Sequence, residues 1–199
     1  MRLGAIFAGG QARRFGADKA AAIVAGTPMI ERVAAAIAAQ TDAVIVVGRD
    51  WPGRLRADDL PCPGLGPLGA LAGALGFAAA HGFAEVLTSG CDLPDLPGDL
   101  VRRLAPAPAV IRGQPLVGLW PAELAEGLRR YLERREDRAM RGWIGHIGAR
   151  AVSLDRPLAN INTPDDLAAF LAGPAETPHA PEDVGSGRFS PSADRRSSR

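Results

Sequence analysis

The stretch Ala8-Gly9-Gly10-Gln11-Ala12-Arg13-Arg14-Phe15-Gly16-Ala17-Asp18-Lys19 gathers residue types suited to holding phosphate. It follows directly on a short apolar run, Leu3 to Ala8, that reads as a buried strand. Adjacent glycines let the backbone turn tightly and approach a ligand without Cβ interference. Successive N–H groups in such a turn form a concavity that suits oxyanions. Arg14 and Lys19 then supply mobile cations, and the combination fits a triphosphate better than a neutral ligand. Of the 23 basic residues, Lys19 is the only lysine. A compact ammonium and a planar guanidinium are not interchangeable where a phosphate must be reached. The loop is not a Walker P-loop, because Ala17 and Asp18 separate Gly16 from Lys19. Gly64-Leu65-Gly66-Pro67-Leu68-Gly69 matches the dinucleotide-binding fingerprint by letter. It follows Pro61-Cys62-Pro63, a poor strand, and Pro67 removes an amide that would face a pyrophosphate. A turn leading into a helix over 68–80 is the better reading.

A second candidate is Gly90-Cys91-Asp92-Leu93-Pro94, at the end of another apolar run. Magnesium prefers one or two carboxylates together with phosphate oxygens, so Asp92 is the candidate metal ligand, with Asp95 a weaker one. A turn or cap role for Asp92 is the plain alternative. In Asn160-Ile161-Asn162-Thr163-Pro164-Asp165-Asp166-Leu167, the last residues start a helix well. The two asparagines flank an apolar residue and could face one ligand from an extended segment; capping and turn roles explain them equally. Arginines crowd residues 129–141; a solvated helical face is the default, although Arg138 stands where the pattern turns apolar and could face a cleft. His81, His146 and His179, with Cys62 and Cys91, form no zinc set, and no nucleophile elbow is present.

The elements that must position these residues follow from the patterning. Leu3–Ala8, Val44–Val47, Glu85–Ser89, Ala109–Ile111, Leu116–Leu119 and Arg150–Leu154 read as strands. Thr27-Pro28 reads as an N-cap and first helical position, opening a helix over Met29–Gln40. Further helices are expected over 68–80, 97–104, 121–135 and from Thr163 to about Leu171. Strands alternating with helices imply an α/β fold with a mostly parallel central sheet. Ligands in such sheets bind beyond the carboxyl ends of the strands, so the loops 9–19, 48–59, 90–96 and 160–163 matter. At 199 residues and 47% hydrophobic, one domain is expected over 1–172, followed by a disordered tail over 173–199 rich in Pro, Gly, Ser and charge. A net charge of +1 argues against general binding of nucleic acid or membrane. No run is long enough to span a bilayer, the first apolar run is too short for a signal peptide, and two separated cysteines suit a reduced, cytoplasmic setting.

Gly9-Gly10 through Arg14, Gly16 and Lys19 resembles the signature loop of nucleotidyltransferases with a Rossmann-like, three-layer fold. Gly66-Pro67-Leu68, Cys91-Asp92-Leu93-Pro94 and Asn160–Leu167 make the chain most similar, over about residues 1–172, to the molybdenum cofactor guanylyltransferases. That resemblance implies transfer of GMP from GTP to molybdopterin, with Mg²⁺ as cofactor and pyrophosphate as the second product. It implies nucleotide contacts at Phe7, Ala8, Gly9, Gly10, Lys19, Val47 or Gly48, Asp59 and Asp92, with Asp92 also the metal ligand. It implies acceptor contacts at Arg14, Arg138, Asn160 and Asn162, and catalytic roles for Lys19, Arg14 and Asp92. Phe7 replaces a leucine common in the family, and Val47-Gly48 stands where an asparagine is frequent. A monomer is expected, making transient contacts with proteins of cofactor biosynthesis or insertion. Two rivals stay open: a related enzyme using CTP or a sugar-phosphate acceptor, and a nucleotide-binding module without catalysis.

Overall fold

The computed structural model describes residues 1–9, 18–134 and 138–172. Gly10, Arg14 and the expected tail over 173–199 lie outside the described residues.

Strand β1 (Arg2–Phe7) is the axis of the molecule. It pairs in parallel with β4 (Ala43–Val47) and β6 (Glu85–Gly90), so Phe7 stands between Val47 and Gly90 at the carboxyl end of all three. Its side chains alternate between the two faces. Leu3, Ala5 and Phe7 enter one apolar cluster, Ile6 and Ala8 the other. On the first face lie α2 (Pro67–Ala80), α4 (Leu124–Arg134) and α5 (Met140–His146). On the second lie α1 (Met29–Ala38) and α3 (Leu100–Leu104). Helices on both faces of the sheet make the three layers.

The sheet has seven strands in the order β5-β4-β1-β6-β8-β7-β9, where β5 is Leu55–Ala57, β7 Ala109–Ile111, β8 Gln114–Pro121 and β9 Arg150–Val152. Only β8 runs against its neighbours, β6 and β7, so the sheet is mostly parallel, as the sequence predicts. Since β7 and β9 are parallel, the chain leaves β9 on the edge where β1, β4 and β6 end. From there 153–163 crosses that edge, and the Ile161 amide donates to the Asp92 carbonyl at 3.0 Å. Helix α6 (Pro164–Ala172) follows.

Helix composition matches the layers. α1 repeats Ile30, Val33, Ala34 and Ile37 at helical spacing, and all four are buried. Gly4 in β1 lies beneath Ile37, where a Cβ would collide with its Cγ2. α2 is built from Ala, Gly and Leu and is buried on nearly all sides. Gly73 faces the Asp58 carbonyl so closely that a Cβ would overlap its oxygen and stand 3.0 Å from its carbon.

Five elements were not legible. Thr27-Pro28 forms β3, paired with β2 (Ile23–Val24), instead of opening the helix; Met29 is the first residue of α1. Ala25 at φ 48° and Gly26 at φ 82° make the two-residue turn between them, and an alanine at positive φ is a poor sequence signal. Lys19–Ala21 forms one 3-10 turn. β5 is three residues long with two exposed, and α5 lies between the expected helix 121–135 and strand 150–154, where no element was expected.

Candidate active site

A cavity of about 430 Å³ opens at the carboxyl ends of β1, β4 and β6. Its walls include Phe7, Ala8 and Gly9 at the end of β1, Arg49 after β4, Asp59 after β5, and Gly90, Cys91 and Asp92 at the end of β6. Lys19 and Asp18 form a further wall, and Gly64, Gly66 and Pro67 at the start of α2 another. Gly9 and Gly48 hold two strand ends together. A Cβ on Gly48 (φ 89°) would stand 2.8 Å from the Gly9 Cα, so the two loops can meet only as glycines. The Ala8 amide donates to the Val47 carbonyl at 3.0 Å and the Cys91 amide to the Phe7 carbonyl at 3.2 Å, which ties the three loops together.

Lys19 and Asp92, 73 residues apart in sequence, meet in this cleft. The ammonium donates to Asp92 Oδ2 at 3.0 Å and to Asn162 Oδ1 at 2.6 Å. Their side chains are only 15% and 21% exposed, so the pair is screened less by water and salt than a surface pair would be. Asn162 donates in turn to Asn160 Oδ1 at 3.0 Å, and Ile161 between them is buried against Val24 and Met29. Asp166 accepts the amides of Asn162 and Thr163 at 2.8 and 2.9 Å. Those amide bonds hold its carboxyl below the usual carboxylate range, aided by the Thr163 hydroxyl and the Lys19 charge.

The donor set suits a small divalent ion. One Asp92 oxygen is shared with Lys19, and Gly90 leaves the other its space, since a Cβ there would run into Oδ1. One carboxylate with substrate phosphates is a common magnesium arrangement. Asp18 also lines the cavity, but both its oxygens are held by Arg49, at 2.7 and 2.6 Å. Asp95 is exposed on a separate groove with Leu96 and Arg103. Among the described residues no cluster of three metal-ligating side chains occurs.

Asp59 Oδ1 is buried on the cavity wall and has no hydrogen-bond partner. An orphaned buried acceptor calls for a donor, which a ligand can bring. The Cys91 thiol is pushed up to about 11, chiefly by burial and then by the Asp92 charge, so it is protonated near neutrality.

Of the residues singled out from sequence, Phe7, Ala8, Gly9, Lys19, Asp59 and Asp92 line this one cavity, and Asn160 and Asn162 stand at its Lys19 side. Val47 does not line it: its side chain is fully buried with Phe7 and Ile45. Arg49, two residues on, reaches the wall instead. Arg138 is exposed ahead of α5 and is not part of the cavity wall. Sequence reasoning missed Arg49 and Asp18, whose only signal is their adjacency to Gly48 and Lys19.

Comparison with known proteins agrees with this geometry. The family model for the MobA-like NTP transferase domain matches residues 4–151. A molybdenum cofactor guanylyltransferase from Acidiphilium cryptum is 37% identical over 182 residues, covering 84% of this chain and 93% of its own. One from Cereibacter sphaeroides is also 37% identical, covering 84% of this chain and 95% of its own. The crystal structure of molybdopterin-guanine dinucleotide biosynthesis protein A from Archaeoglobus fulgidus has the same fold, with a TM-score of 0.63 at 22% identity. That likeness covers 85% of this chain and 96% of the other.

Proposed function

Because the chain belongs to the MobA-like NTP transferase family, we propose that it transfers GMP from GTP to molybdopterin, releasing pyrophosphate. The product is molybdopterin guanine dinucleotide. The observation that carries this reading is the meeting of Lys19 and Asp92 at 3.0 Å on the wall of a glycine-lined cleft. A lone ammonium beside a carboxylate at the ends of parallel strands is what a metal-bound triphosphate requires.

The acceptor's terminal phosphate oxygen attacks the α-phosphorus of GTP. A new P–O bond forms as the bond to the β-phosphate oxygen breaks, in line, and no enzyme-linked intermediate is needed. Catalysis then rests on positioning and charge. Asp92 would hold a divalent ion, taken here as Mg²⁺, which when bound would offset charge on the phosphate oxygens. Lys19 turns from Asp92 to the β- and γ-phosphates and offsets the charge that grows on the leaving pyrophosphate. Gly9, on the cavity wall, is assigned to the same phosphates, and the family resemblance assigns Gly10 with it. Asp59 takes a donor from the guanine edge, satisfying its unpartnered oxygen. Arg14, Arg138, Asn160 and Asn162 are assigned to the pterin side, with Asn162 also holding Lys19. No helix among the described residues is long and apolar enough to cross a membrane; we take the enzyme to act in the cytoplasm, as a monomer.

The test is pyrophosphate release from GTP with Mg²⁺ and molybdopterin, run beside CTP and beside reactions lacking the acceptor. Release that needs GTP and molybdopterin together is expected. Lys19→Ala and Asp92→Ala should each slow it by roughly 10²–10³, the usual cost of losing one preorganised charge-stabilising group. Near-normal turnover by either variant, or preference for CTP, would overturn the assignment.

A further inference from the structure

Arg49 and Asp18 make the most complete two-point ion pair at the cleft. Nη1 donates to Oδ1 at 2.7 Å and Nη2 to Oδ2 at 2.6 Å, so the fork grips both carboxylate oxygens. An exposed pair of this kind on an ordinary surface contributes little. This one differs in what stands on each side of it. Behind Arg49 lies the Trp51 ring, its centroid 5.5 Å from the guanidinium carbon. The Trp51 indole donates to Glu31 Oε1 at 2.5 Å, and Arg54 donates to Glu31 Oε2 at 2.6 Å. Glu31 sits in the first turn of α1, so the arginine is anchored to a core helix. In front of Arg49, Asp18 caps the 3-10 turn Lys19–Ala21: its Oδ1 accepts the Ala20 amide at 3.2 Å and its carbonyl the Ala21 amide at 3.1 Å.

We infer that Arg49 is a positioning residue for the transfer, acting through Asp18 to fix the turn that aims Lys19 at the phosphates. The turn Lys19–Ala21 is a short piece closed by few backbone bonds, so its orientation depends on what holds its cap. The fork fixes that cap, the residue immediately before the ammonium. Asp18 is held below its ordinary carboxylate range chiefly by the Arg49 hydrogen bonds, so the cap is a full anion at the pH of the reaction. The inference rests on the reading that Lys19 serves the phosphates. It adds the residue that makes its aim reproducible.

The experiment is a double-mutant cycle on GTP turnover, with Arg49→Met, Arg49→Lys, Lys19→Ala and the Arg49→Met/Lys19→Ala pair, each checked by thermal unfolding. Arg49→Met should lower kcat by roughly 10- to 100-fold, the scale of a misplaced catalytic group, with a much smaller change in the KM for GTP. Arg49→Lys should fall with it, because an ammonium keeps the charge but not the fork. In the Lys19→Ala background the Arg49→Met change should shrink to about twofold or less, since coupled residues are non-additive. Equal losses in both backgrounds would assign Arg49 to general stability or to a phosphate contact of its own, and would overturn the inference. Wild-type kcat in Arg49→Lys would also overturn it, and that variant decides the matter if Arg49→Met does not fold. If Lys19→Ala itself turns over normally, the proposed function fails instead.

Discussion

Replacing Gly73 with alanine sets two physical rules against each other. Gly73 lies inside α2, where alanine would ordinarily gain about 0.5–1 kcal/mol over glycine. The Cβ, however, would overlap the Asp58 carbonyl oxygen and stand 3.0 Å from its carbon and 3.6 Å from the Asp59 Cα. Carbon contacts settle at about 3.5–4.0 Å, so the carbonyl carbon alone must retreat by roughly 0.5–1 Å, and the oxygen by more. α2 is packed on nearly all sides, so the segment carrying Asp58 and Asp59 must yield. It is tied to the helix by the Leu60 amide, which donates to the Gly69 carbonyl at 3.0 Å. Overpacking of this kind costs about 1–3 kcal/mol, which exceeds the propensity gain. For a chain of this size each kcal/mol lost lowers the melting temperature by about 2–4 °C. Asp59 moves with its neighbour, and a displacement near 1 Å can cost up to about 10²-fold in activity. Calorimetry and steady-state pyrophosphate release on Gly73→Ala measure both effects: a lower Tm and a raised KM for GTP. A higher Tm with unchanged KM would refute the packing argument.

Two other expectations follow from the ionisable groups. Cys62 is exposed, whereas the Cys91 thiol is pushed up to about 11 by burial; iodoacetamide at mildly alkaline pH should alkylate Cys62 and spare Cys91, as read by peptide mass spectrometry. Equal labelling of the two would contradict the burial. Asp18 has a folded-state pKa depressed below its ordinary 3.8, so the stability it lends is full above 3.8 and is lost as pH falls through the lower folded value. The Tm difference between wild type and Asp18→Asn should therefore be constant near neutrality and shrink in acid below 3.8; a gap that holds at every pH would count against the pair.

What the sequence disclosed was whatever depends on local order. The glycine loop, Lys19 and Asp92 could be found because each stands just beyond an apolar run, and a parallel sheet gathers such ends on one edge. The alternation of Asn160, Ile161 and Asn162 showed that the two asparagines could share one side, but left ligand-facing and capping roles equal; the Lys19 bond to Asn162 is a long-range contact that no local pattern contains. Arg49 stayed hidden because its partner is 31 residues away and nothing in Gly48-Arg49-Asp50 marks it among so many arginines. Val47 fell inside the sheet because β4 extends through it, which moves the exposed position to Arg49. The hairpin before α1 was masked by Thr27-Pro28, a pair that opens helices elsewhere and here ends a strand. The role of Gly73 depends on one carbonyl from another loop, which no pattern within α2 reveals.

The crossing of the sheet edge by 153–163 has a temporal consequence. Chains emerge from the ribosome amino end first. β1, β4 and β6 can assemble, with Lys19 beside Asp92, before Asn162, which lies far downstream in the chain, has emerged. A nascent chain at that stage presents an unfinished cleft, its ammonium held from one side only. Completion of the cleft around Lys19 therefore waits for translation to deliver the far end of the polypeptide, and cutting the chain between β9 and α6 should loosen the hold of Asn162 on Lys19.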